Sequence, residues 1–218
     1  VLLRAAEIAR EARPRFPVCL LHLTGEEFPA DDLGARHFVS QLLKTKTDIT
    51  ALVLMDLIGF RAKDDRVFQI HAGETGEALR YAERVLAKTR RLTRFSPVLR
   101  TRFDERSYLY NTDGLIFSEA GYPVVYFSEH VNKIENIDRD GYHHTTDTTA
   151  KIDWEYATAI GKIAIETAVE LSDGRRRQVA AANTPSVILI VAWAGGALVL
   201  AILVGYALHK RSRLRTGG

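Results

Sequence analysis

Ile49-Thr50-Ala51-Leu52-Val53-Leu54-Met55-Asp56 is the stretch that decides the fold. An uncharged, largely aliphatic run ends abruptly on a carboxylate. A short apolar run of this kind reads as a strand buried on both faces, as in a parallel sheet covered by helices on either side. Asp56 then stands on the end of a rigid element and is followed by Leu57-Ile58-Gly59.

Working outward, the pattern alternates. Val18–Leu23, Val67–His71 and Pro123–Phe127 read as further strands. Residues 2–13 and 32–44 suit helices, as do Gly76–Leu92, with helical spacing through Leu79, Ala82, Val85 and Leu86, and the long stretch Ile152–Leu171. Strands alternating with helices predict an α/β domain with a mostly parallel central sheet over residues 1–171.

Composition agrees. The chain has 218 residues, 46% hydrophobic and 26% charged, too apolar for disorder and sized for one domain with something added. The single cysteine, Cys19, excludes an intramolecular disulfide framework and a CxxC metal site. The net charge of +3 conceals an uneven distribution. Residues 175–218 carry Arg175, Arg176, Arg177, Lys210, Arg211, Arg213 and Arg215 and no acid, so the body is mildly acidic. A nucleic-acid partner is not expected, because no basic stripe marks the folded part.

Ser186–Leu208, SVILIVAWAGGALVLAILVGYAL, is uncharged throughout. As a helix it is long enough to cross a hydrocarbon core of about 30 Å. Residues 172–185 then read as a juxtamembrane linker and 209–218 as a basic tail. The HKRSRLR cluster places that tail in the cytoplasm and the body outside it. The expectation is a single-pass protein contacting membrane lipid through 186–208. The chain opens on Val1 and its one methionine is Met55, so a fragment or processed product is expected.

Three polar clusters follow strands, where open α/β sheets gather ligands. Gly25-Glu26-Glu27 follows 18–23. Two adjacent carboxylates in an irregular turn can diverge, one toward a metal and one toward a water; they can equally be a solvated turn. Asp56 is held as a ligand should be, or caps a helix. Tyr142-His143-His144-Thr145-Thr146-Asp147-Thr148 follows the strand 123–127 and a polar loop. It offers imidazoles, the commonest metal ligands, or simply a cap for the helix near Ile152. Together the clusters supply oxygen and nitrogen donors suited to zinc and a spare glutamate as general base, the parts for metal-assisted hydrolysis.

In this order the motifs resemble the M28 family of zinc exopeptidases. The residues that carry the likeness are Gly25-Glu26-Glu27, Asp56-Leu57-Ile58-Gly59, Thr112-Asp113 with Phe117, Gly121 and Pro123, and Tyr142 through Thr148. The resemblance covers about residues 1–171, the C-terminal portion of the catalytic domain. It implies a three-layer, zinc-exopeptidase-like α/β sandwich with two zinc ions at the strand ends. It makes Glu26 the general base, which takes a proton from a metal-bridging water and returns it to the leaving amine. Glu27 and His144 would hold one zinc, with His144 chosen because it directly precedes Thr145-Thr146-Asp147-Thr148. Asp56 would hold the other. Asp113, in the position of the family's Ser-Asp-His segment, would support the ligands from behind.

The likeness has departures. The family's first histidine ligand and bridging aspartate lie upstream of the Glu-Glu pair, where this chain has only Glu7, Glu11 and His22. This stretch alone is therefore expected to be inactive. Asn111-Thr112-Asp113-Gly114-Leu115-Ile116-Phe117 lacks the family's histidine and proline there, and Phe28-Pro29-Ala30-Asp31-Asp32-Leu33-Gly34 replaces a Gly-Leu-rich turn. The expected function is a membrane-anchored zinc exopeptidase, an aminopeptidase by family frequency, acting on peptides. The alternatives are a glutaminyl-cyclase-like acyltransferase and a non-catalytic receptor or scaffold on the same fold.

Overall fold

The computed structural model describes residues 1–61, 66–130, 141–174, 186–194 and 197–203. The expected strand around Leu52 is present as β2 (Asp48–Met55), with residues 49–55 buried throughout. It runs parallel to β5 (Val124–Glu129), pairing Leu52 with Val124 and Met55 with Phe127. β3 (Val67–Ala72) lies antiparallel to β5 and parallel to β4 (Ser96–Arg100). β1 is short, Val18–Leu20 rather than 18–23.

Helices cover both faces. α1 (Leu2–Ala12), α3 (Gly76–Thr89) and α5 (Trp154–Gly174) form one layer, where Lys88 of α3 meets Glu170 of α5 at 2.8 Å. α2 (Leu33–Thr45) and α4 (Gly114–Glu119) pack together through Phe38 and Phe117, ring centroids 6.3 Å apart. Start signals are local. The Thr75 side chain accepts the Ala78 N–H in α3, and Asp153 accepts the Tyr156 N–H at the head of α5. Behind them, Tyr156, Ile160, Ala164 and Ala168 of α5 bury one stripe in the core. The chain is thus a mixed α/β domain with a mostly parallel sheet, as expected.

The C-terminal run corrects the expectation. Its described residues form strands β6 (Ser186–Ala194) and β7 (Ala197–Leu203), not a helix over 186–208. β6 runs parallel to β1 and β2, β7 runs antiparallel to β6 and β1, and the sheet order is β1-β7-β6-β2-β5-β3-β4. No helix among the described residues is long and apolar enough to cross a membrane. The physical reason is degeneracy: an uncharged run suits a strand buried on both faces as well as a span. The described residues of this run fall into two pieces of strand length, the first rich in β-branched Val187, Ile188, Ile190 and Val191. Of the expected linker, 172–174 continue α5, while 175–185, 204–208 and the basic tail 209–218 lie outside the described residues.

Candidate active site

The polar clusters converge at the carboxyl ends of the strands. Beyond β1 the chain turns through residues 24–34. Backbone bonds pin this turn: Gly34 N–H to Thr24 O (3.0 Å), Leu33 N–H to Gly25 O (2.9 Å) and Asp32 N–H to Glu26 O (3.1 Å). Gly25 sits at φ +70°, a conformation glycine adopts without penalty. Gly34 is glycine for a different reason, since a Cβ there would lie 2.5 Å from Thr24 O. The turn leaves Glu26 half-buried and Glu27 more exposed.

Burial pushes the Glu26 carboxyl up to about 7, with Glu27 and then Asp32 adding like charge. Asp56 is 6% exposed, and burial, followed by the charge of Glu26, holds it well above the usual carboxylate range. Its Oδ1 has no hydrogen-bond partner. Asp113, at the head of α4, is fully buried with both carboxylate oxygens unpartnered. Burial raises it to about 8, with Asp32 and Glu26 contributing. Buried carboxylates left without donors are costly unless a cation or a proton compensates them.

The histidine against the glutamate pair is His143, whose Nε2 lies 2.8 Å from Glu27 Oε1. His143 has φ +58° and stacks on Tyr142, centroids 3.9 Å apart. His144, expected beside Glu27, is exposed, as His143 also is, and its backbone N–H donates to Gly141 O. His22 is also exposed, beyond the end of β1. The structure therefore brings together Glu26, Glu27, Asp56 and Asp113, with His143 against Glu27.

Several residues were missed from sequence. The Tyr108 and Tyr142 side chains hydrogen-bond each other beside Asp56. Behind Tyr108 lies buried His71, whose Nδ1 is 3.1 Å from Ser107 Oγ and 3.3 Å from the donating Tyr108 N–H. Its Nε2 is 3.0 Å from Ser128 Oγ, and its ring stacks on Tyr126. Glu129 ends β5 and is also buried. The sign that marked Asp56, an acid closing an apolar strand, marks Glu129 equally well.

The donor types fit zinc: carboxylates with unpartnered oxygens on one side and a glutamate–imidazole pair on the other. Their number does not complete a site. Among the described residues no group of three or more such side chains is arranged to hold an ion.

Comparison with known proteins places the chain. Residues 1–168 match peptidase family M28. The LapA aminopeptidase of Legionella pneumophila superposes with a TM-score of 0.54 at 16% identity, over 66% of this chain and 36% of that one. BSAP, a zinc aminopeptidase from Bacillus subtilis, gives 0.48 at 18% identity, over 65% of this chain and 35% of that one. The chain thus spans about a third of the length of these structures. No curated protein matched.

Proposed function

The chain belongs to peptidase family M28, and from that membership we propose that it carries the general base and part of the metal site of a zinc-dependent exopeptidase acting on peptides. The observation that carries this reading is the meeting of Glu26, Asp56 and Asp113, with buried oxygens of Asp56 and Asp113 that lack donors. Acids that repel one another in the bare protein become favourable when a divalent cation sits among them.

In this reading Glu27 would hold one zinc together with His143, and Asp56 would hold the other. The choice of His143 over His144 rests on its 2.8 Å approach to Glu27. Asp113, with both oxygens unpartnered, would stand behind the ligands and add negative charge to the site. The chemistry zinc supplies when bound is Lewis acidity toward the scissile carbonyl and the attacking water. Glu26 would take the proton from the attacking water and give it to the leaving amine. In the bare protein burial and the charge of Glu27 raise that carboxyl to about 7, and a cation held beside it would lower it. A complete two-ion site needs further donors beyond those the described residues bring together.

Glu26→Gln in the intact protein is expected to keep zinc by elemental analysis and to lower kcat by about 10²-fold or more. Near-normal turnover in that variant would remove Glu26 from the mechanism. The histidine assignment has its own check: His143→Ala is expected to weaken zinc retention, and His144→Ala to leave it unchanged.

A further inference from the structure

We infer that Glu129 is a positioning residue for Asp56, holding in shape the turn from which Asp56 meets the metal; this rests on the zinc reading above. The turn over residues 57–60 begins on Leu57 at φ +50°, a left-handed conformation that a branched side chain adopts only when its surroundings impose it. Glu129 grips both ends of that turn. Its backbone N–H donates to Leu57 O at 2.7 Å, and its Oε2 accepts the Phe60 N–H at 2.8 Å. Between these, Asp153 N–H donates to Gly59 O at 2.9 Å, fastening the turn to the head of α5. Asp56 N–H donates to Phe127 O at 3.3 Å, two residues before Glu129 on the same strand. A single β5 segment therefore fixes the backbone on both sides of the Asp56 side chain.

The choice of side chain also bears on function. Glu129 is 3% exposed. A neutral acceptor would cap the Phe60 N–H at less desolvation cost, and Glu129 adds negative charge beside Asp56. That charge opposes the bare protein and favours a site holding a cation. Carboxylates behind metal ligands act in this way, and their loss commonly weakens metal binding by about 10–100-fold.

The test compares wild type, Glu129→Gln and Glu129→Ala in the intact protein. It reads zinc affinity by competition with a chelating dye and thermal midpoint of the zinc-free form. Glu129→Ala is expected to weaken zinc binding by about 10–100-fold. Glu129→Gln, which keeps an oxygen to accept the Phe60 N–H but loses the charge, is expected to fall between wild type and Glu129→Ala. A merely structural residue would lower the zinc-free midpoint and leave the affinity of the folded protein unchanged. Equal affinity in wild type and Glu129→Ala overturns this assignment alone. Failure of wild type itself to bind zinc overturns the zinc reading, and this assignment falls with it.

Discussion

His71 is a histidine kept neutral by its surroundings. It is fully buried on β3, and burial, followed by the nearby Arg100 guanidinium, lowers its pKa to about 3. In the unfolded chain an ordinary histidine titrates near 6.5. Between those values the unfolded chain takes up a proton that the folded protein refuses, so stability is lost as pH falls. The contribution is fully present above about pH 6.5 and shrinks below it, by at most ~1.4 kcal/mol per pH unit. His71→Gln cannot take up that proton. The stability gap between wild type and variant, from urea unfolding at pH 7 and pH 5, is therefore expected to narrow at the lower pH. A gap that stays constant would mean His71 is not held neutral. The network it anchors, through Ser107, Ser128 and the Tyr108 N–H, backs the tyrosine pair at the site.

At the scale of the element, the turn over 24–34 determines where Glu26 and Glu27 stand. Gly34→Ala would press a methyl into the backbone oxygen of Thr24, 2.5 Å away, and backbone cannot rotate aside as a side chain can. A cost of about 1–3 kcal/mol is expected, with zinc retention falling along with stability because the same turn carries the glutamates. Thermal midpoint and zinc content of the variant check both, and an unchanged midpoint would show that the turn is looser than its hydrogen bonds suggest. The same scale explains what was legible in the sequence. β2 and Asp56 stood out because an apolar strand closed by an acid has few other readings. β4 did not, because Ser96-Pro97-Val98-Leu99-Arg100 is short and carries a proline, which belongs on sheet edges, and β4 is the edge strand. His143 and His144 could not be separated by pattern, since an irregular loop has no period to fix which of two neighbours faces Glu27. Glu129 also closes a strand with an acid, but no motif surrounds it in the sequence.

At the scale of the whole molecule, the sheet decides how the two halves of the site meet. Glu26 follows β1 and Asp56 follows β2, and β6 pairs with both. Neighbouring strands stand about 4.8 Å apart, and β1 and β2 are not neighbours, so roughly 10 Å or more is left for the loops to close. The charge of Glu26 nevertheless reaches Asp56, so the turn over 24–34 brings the two carboxylates near each other. Removing residues 186–218 therefore has a definite expected result. β2 would lose its ladder from Asp48 to Met55 on the β6 side, and the short β1 would lose its pairings with β6 and β7. Backbone donors and acceptors along a central strand would be left without partners. The truncated protein is expected to melt lower and less cooperatively than the intact one, and to retain less zinc as the Glu26–Glu27 turn drifts from Asp56. An unchanged midpoint with full zinc retention would mean that the apolar run does not complete the sheet. The membrane span suggested by hydropathy would then be the better account, and alkaline extraction of the intact protein from membranes would decide it.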